Sequence, residues 1–303
     1  MKTDEPVGFV GLGSMGAVLA ANLASSGLRL VVHDSRREAY QALSEFDVVS
    51  VETPQEVASL CETVFVCLPT PAVVREVALG EGGLVHGSAI RTYVDMSTTG
   101  PSMAKAVAEK LGARGIQCVD APVSGGVGGA RARSLVLMVS GKPEVVAGLG
   151  VFFDALGKQS IVGTEVGQGQ SMKLINNLMA AAHLALAAEA TTLGVKAGLR
   201  PEIILDTLNA GSGRNSATAD RFPQHVLPRT FNNGFSNFLM RKDVRLCLEM
   251  AEDLQVPLWV GTAVDRLWMH TVLQVGPDEG STSIVKLVEQ WAGVQVAGSS
   301  LSA

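Results

Sequence analysis

Apolar positions follow two regimes along the chain. In the first half they come as short runs closed by glycine, proline or a charged residue. Val7–Gly11, Leu28–His33, Thr63–Leu68, Thr92–Asp95, Gln117–Ala121, Leu135–Ser140 and Gln159–Val162 read as strands. Segments of helical spacing lie between them: Val18–Leu23, Arg36–Glu45, Pro71–Leu79, Pro101–Leu111 and Lys142–Phe153. Thr53-Pro54-Gln55-Glu56 has the form of a capping box with proline at the first helical position. Strands alternating with helices predict an α/β fold built on a doubly wound, mostly parallel sheet.

After Gly163 the strand pattern stops. Gly167 to Gly198 contains no proline, is rich in alanine and is bracketed by glycines, which predicts one long helix of about thirty residues. Further segments, Pro201–Leu208, Lys242–Leu254, Pro257–Val272 and Ser281–Trp291, also read as helices. The chain therefore divides into residues 1–165, carrying the sheet, and residues 166–303, all helical. Within the long helix, Lys173 and Asn177 are four apart and share a face. The helix dipole disfavours a lysine near an N-terminus, so function rather than helix stability is expected to have put it there. The expectation is that this helix crosses between the two parts and presents both residues to a cleft. Leu178–Val195 is long enough to suggest a membrane span, but His183, Glu189, Thr191 and Thr192 interrupt it.

One glycine turn carries specific chemistry. Gly11-Leu12-Gly13-Ser14-Met15-Gly16 lies between a strand and a helix, and Asp34 ends the next strand. In that setting Gly11 permits the turn, Gly13 lets the backbone approach a pyrophosphate, and Gly16 lets helix and strand pack closely. The helix N-terminus offers N–H groups to phosphates, and Asp34 is placed for ribose hydroxyls. The carboxylate favours NAD over NADP, with Arg36 and Arg37 near enough to blur the preference. A second glycine-dense stretch, Ala121 to Gly129, ends another strand and reads either as an anion-binding loop with exposed N–H groups or as a flexible surface loop.

A net charge of −5 argues against a nucleic-acid surface. Cys61, Cys67, Cys118 and Cys247 have no metal-ligand or CxxC spacing and read as reduced core residues of a cytoplasmic protein. Met1–Pro6 is short and charged, unlike a signal peptide.

Four stretches together resemble the β-hydroxyacid dehydrogenase family, and its 3-hydroxyisobutyrate dehydrogenase branch most. They are Gly8–Gly16, Asp120–Gly126, Gly167–Asn177 and Lys242–Leu246. The resemblance implies an oxidoreductase that moves a hydride between a nicotinamide cofactor and a small β-hydroxy acid or its semialdehyde. It implies Lys173 as the catalytic lysine and Asn177 as its partner at the substrate. Ser124, Gly125 and Gly126 would hold the substrate carboxylate. Leu68, Pro69 and Thr98 would line the nicotinamide side, and Lys242 would lie near the cofactor. It also implies a homodimer or homotetramer formed through the helical part; the net charge and the interrupted helix lead to the expectation of no nucleic-acid or membrane partner. Rival readings are reduction of another carbonyl or imine, a phosphorylated sugar acid as substrate, and a non-enzymatic relative. The family commonly has glycine where this chain has Arg133, and a glycine pair where it has Ser140-Gly141. Both departures follow the substrate loop, so they bear on which substrate is used.

Overall fold

The computed structural model describes residues 5–299; the charged start of the chain, Met1–Asp4, lies outside them. The chain packs as two compact units, one ending at Lys173 and the other starting at Leu174.

The first unit is built on nine strands among the described residues: β1 (Val7–Val10), β2 (Leu30–His33), β3 (Val48–Ser50), β4 (Thr63–Val66), β5 (Thr92–Asp95), β6 (Gln117–Asp120), β7 (Val123–Ser124), β8 (Leu135–Ser140) and β9 (Gly157–Gly163). Their order is β3-β2-β1-β4-β5-β6-β8-β7, with β9 on β8. The first six strands are parallel, β8 runs antiparallel to β6, and β9 is parallel to β8. The order reverses between β1 and β4, and in parallel α/β sheets ligands bind outside the carboxyl ends of strands at such a point.

Side-chain alternation explains why both faces are covered. Phe9, Val32, Phe65, Val94 and Val119 stand in register across five strands and share one face. Val31, Val64 and Tyr93 occupy the other and belong to a separate core. Helix α1 (Gly16–Ser25) packs its Leu19 and Leu23 on the first face, where Phe65 also meets Phe152 edge-on at 5.6 Å. Helices α2 (Pro54–Leu60), α3 (Pro71–Leu79) and α4 (Pro101–Gly112) contribute Val57, Ala78 and Val107 to the second.

Several boundaries differ from the sequence reading. The capping box forms, with Glu56 N–H donating to Thr53 Oγ1, but the return bond reaches the N–H of Glu52 instead of Thr53. Strand β3 is a three-residue addition at the sheet edge, too short and too exposed to show an apolar run. The glycine-dense stretch is no loop: Val123–Ser124 pairs with β8, and Gly126–Arg131 winds into helix α5. Lys142–Phe153 is two short helices, α6 (Pro143–Gly148) and α7 (Gly150–Asp154).

Helix α8 (Gln168–Lys196) is unbroken over 29 residues. By length and composition it is apolar enough to cross a membrane. Its two faces differ: Ala181, Leu184, Ala185 and Ala188 are buried, while Met179, Leu186 and Leu193 are exposed. The second unit gathers its core around the buried face with α9 (Pro201–Ala210), α10 (Asn237–Asp253), α11 (Trp259–Gln274) and α12 (Ile284–Ala292). Trp268, fully buried, donates its indole N–H to the Ala181 carbonyl at 3.3 Å. Ala217–Val226, which shows no regular spacing around Pro223, forms a wide π-type helical turn.

Candidate active site

The glycine turn follows β1 at the sheet's switch point. Gly11 has φ +96°, and a Cβ there would lie 2.4 Å from the Cys67 carbonyl oxygen. At Gly16 a Cβ would come within 1.9 Å of the Gly11 carbonyl. These two glycines are demanded by the protein's own backbone. Gly13 is different: the nearest group to a Cβ is the Arg36 guanidinium, 3.9 Å away. Its missing side chain leaves space that no other part of the unit fills. Helix α1 has no side-chain cap and no acid in its first turn. Uncapped helix N–H groups beside an uncrowded glycine fit a dinucleotide pyrophosphate.

Asp34, just beyond β2, closes the turn. Its Oδ2 accepts the Leu12 N–H at 2.7 Å, and its Oδ1 accepts the Arg36 N–H at 2.9 Å and Nε at 3.1 Å. Burial raises its pKa, but the bonds from Arg36 and Leu12 outweigh that, leaving the carboxyl below its ordinary value. The Tyr40 hydroxyl accepts the Asp34 N–H and donates to the Asp34 carbonyl, both at 3.1 Å, so the acid's main chain is held as well. Neither Arg36 nor Tyr40 shows as a partner in the sequence. Ser14 and Pro69 are exposed, whereas Met15, Leu68 and Thr98 are half-buried. The Leu68 N–H donates to Ser97 Oγ at 2.9 Å, which joins the loop after β4 to the loop after β5.

A second group of bonds fixes the start of α8. Asp120, at the end of β6, accepts from the Gly167 N–H at 2.6 Å, Ser140 Oγ at 3.0 Å and the Gln170 N–H at 3.4 Å. Ser140 Oγ in turn accepts the Gly169 N–H at 2.8 Å. Free N–H groups of the first helical turn are thus capped by residues from two strands rather than by the helix's own sequence. Gly169 is obligatory, since a Cβ would sit 2.6 Å from the Met138 carbonyl. Burial raises the Asp120 pKa, and the bonds from Gly167, Ser140 and Gln170 pull it back part of the way. Lys173 follows one turn later and is 9% exposed.

The departures noted at Arg133 and Ser140 therefore concern structure. Ser140 is fully buried in the cap of α8. Arg133 stands just after α5 with φ +53°; its N–H bonds the Ala130 carbonyl, and the Ser134 N–H bonds the Gly129 carbonyl. That pattern is the left-handed helix ending at which glycine is preferred. Here the Arg133 guanidinium donates to Ser25 Oγ of α1. Ser124 lies in β7, Gly125 has φ +133°, and Gly126 opens α5 with φ +67°. The N–H groups expected in a loop thus stand at a strand end and a helix start.

In the second unit Asn177 and Lys242 meet through a residue the sequence reading passed over. Asp243 is 1% exposed; it accepts from Asn177 Nδ2, and its Oδ1 lies 2.8 Å from Lys242 Nζ. Asn176 Nδ2 donates to Asn177 Oδ1 at 3.0 Å.

A family model for the NAD binding domain of 6-phosphogluconate dehydrogenase matches residues 6–167. One for the NAD-binding region of NADP-dependent 3-hydroxyisobutyrate dehydrogenase matches residues 167–288. The chain is 32% identical over 299 residues to 2-(hydroxymethyl)glutarate dehydrogenase of Eubacterium barkeri, covering 98% of this chain and 99% of that protein. It is 33% identical to the mitochondrial 3-hydroxyisobutyrate dehydrogenase of Mus musculus, covering 88% and 82%. The solved structure of Mycobacterium tuberculosis 3-hydroxyisobutyrate dehydrogenase with L-serine superposes with a TM-score of 0.84 at 27% identity, covering 95% and 99%.

Proposed function

Because the chain belongs to the β-hydroxyacid dehydrogenase family, we propose that Lys173 is the acid/base of an oxidation carried out on a hydroxymethyl group next to a carboxylate. The enzyme is an NAD(P)-dependent hydroxyacid dehydrogenase acting on a small β-hydroxy acid. The substrates in the names of its relatives, 2-(hydroxymethyl)glutarate and 3-hydroxyisobutyrate, share the unit HOCH2–CHR–COO⁻. We assign that unit to this chain, with a semialdehyde as product.

A bound nicotinamide would supply the acceptor for the hydride of the carbinol carbon. Gly11–Gly16 and the start of α1 hold the pyrophosphate, and Asp34 takes the adenosine ribose. Leu68, Pro69 and Thr98 line the nicotinamide side, with Lys242 near the cofactor. Ser124, Gly125 and Gly126 bind the carboxylate. Lys173, as the free amine, takes the hydroxyl proton, and Asn177 orients the substrate oxygen. Asp243 holds the Asn177 amide by accepting one of its protons. The observation that carries the reading is Lys173 itself: a lysine 9% exposed in the second turn of a helix, where burial disfavours a cation.

NAD is the preferred cofactor, since the ionised Asp34 repels a 2′-phosphate; the bonds from Arg36 soften that preference. A homodimer or homotetramer forms through α8, where exposed Ile175, Met179, Leu186 and Leu193 recur at helical spacing on one side. The test is a panel of HOCH2–CHR–COO⁻ acids and their uncharged alcohol analogues, assayed with both cofactors. Activity confined to the acids and greater with NAD supports the reading; equal turnover of acid and alcohol contradicts it.

A further inference from the structure

The proposed chemistry gives no task to Gln170, yet it is among the most tightly held side chains in the first unit. It is fully buried, and its amide makes three hydrogen bonds, all to main chain. Oε1 accepts the N–H groups of Thr99 at 2.9 Å and Gly100 at 3.3 Å, and Nε2 donates to the Ser97 carbonyl at 3.0 Å. One side chain in the first turn of α8 therefore grips the whole loop from Ser97 to Gly100. That loop includes Thr98, and through Ser97 Oγ it also holds the Leu68 N–H.

These bonds are not needed to start the helix. Its first N–H groups are already satisfied by Asp120, Ser140 and the Glu165 carbonyl. Nor are they needed by the sheet, because β5 pairs along its length with β4 and β6. What they do is tie the loop on the nicotinamide side to the helical turn immediately before Lys173. An α-helix is stiff over one turn, so the position of Lys173 follows that of Gln170. We propose that Gln170 is a positioning residue that sets where the Lys173 amine stands relative to the nicotinamide-side loop, an inference that rests on the reading of Lys173 as the acid/base. A misplacement of about 1 Å in such a site can cost roughly 10²-fold in rate.

The test is a double-mutant cycle. Gln170→Met keeps the side chain's length and removes all three bonds; Gln170→Glu keeps the two acceptor bonds and loses the donor to Ser97. Each is made in the wild-type and Lys173→Ala backgrounds, and each is read by kcat, by NADH affinity from fluorescence titration and by thermal melting. The proposal expects Gln170→Met to lower kcat about 10- to 100-fold with NADH affinity unchanged. In the Lys173→Ala background the same change should lower the residual rate by less than about twofold, because the group being positioned is gone. Gln170→Glu should fall between. Equal fold losses in both backgrounds, or a wild-type kcat in a folded Gln170→Met enzyme, would overturn it. So would loss of the fold in both variants, which would make Gln170 structural. A Lys173→Ala enzyme that is itself as active as wild type would instead remove the acid/base reading, and the proposal with it.

Discussion

Two stretches of one sheet edge carry a carboxylate beside glycines, and they use them in opposite ways. After β1 and β2 the edge is left open. Gly13 has no close neighbour, Asp34 is half-buried, and the paired Arg36 side chain is 55% exposed. After β6 and β8 it is closed: Asp120, Ser140 and Gly169 are locked together over the start of α8, and each polar group faces protein. The same residue types therefore reserve space for a ligand in one place and fasten a helix in the other. What separates them is whether the N–H groups nearby already have partners.

The largest effect is expected at Gly16. Gly16→Ala drives a methyl into the Gly11 carbonyl at 1.9 Å. We expect a loss of stability above about 4 kcal/mol, seen as insoluble protein or a collapsed melting transition. Gly13→Ala should do the reverse, leaving the melting temperature unchanged while weakening NADH binding; a melting change as large as that of Gly16→Ala would show that Gly13 is structural too.

A smaller effect is expected from Asp95, which stands beside Asp120 in the register of β5 and β6. Burial pushes its pKa up to about 6, against the bonds it accepts from Ser97 and with help from the Asp120 charge. Between the ordinary carboxylate value of about 4 and that raised value, the folded state keeps a proton that the unfolded chain has lost. Asp95 therefore subtracts stability as pH rises through this window, and the penalty is constant above it. Asp95→Asn should melt progressively higher relative to wild type as pH goes from about 4 to about 6. A pH-independent difference would contradict the assignment.

The smallest effect is at Arg133. Arg133→Gly relieves a left-handed residue, worth about 1 kcal/mol, at the loss of the bond to Ser25. Stability should change by no more than about that amount, and substrate preference should not move. A changed substrate ranking would tie Arg133 to substrate choice.

The open part of the edge was legible in the sequence because its chemistry is local. Gly11 to Gly16 and Asp34 lie within one strand–turn–helix–strand unit; Gly16 meets the Gly11 carbonyl inside it, and Gly11 alone meets a distant group, the Cys67 carbonyl just after β4. The closed part was not legible. Its bonds join residues 20 to 73 positions apart, from Ser140 to Asp120 up to Gln170 to Ser97, and come from two strands, a loop and a helix start. No local pattern announces that a glutamine in a glycine-rich helix start will grip a distant loop. For the same reason Ser140 and Arg133, next to a motif in sequence, bore on which substrate is used, whereas the fold places both at helix ends. Asp243 was missed although it follows Lys242 directly; only the fold brings it to Asn177.

If Lys173 manages the proton, the pH dependence of kcat/KM for hydroxy-acid oxidation reports it. With the free amine as base, the wild-type value should rise with pH to a plateau. Lys173→Ala should lose about 10²- to 10⁴-fold and lose that rise, with NADH affinity unchanged. Lys173→Arg should not restore activity, since guanidinium keeps its proton near neutral pH. A Lys173→Ala enzyme within about threefold of wild type, with the same pH profile, would contradict the account and leave α8 as scaffold alone.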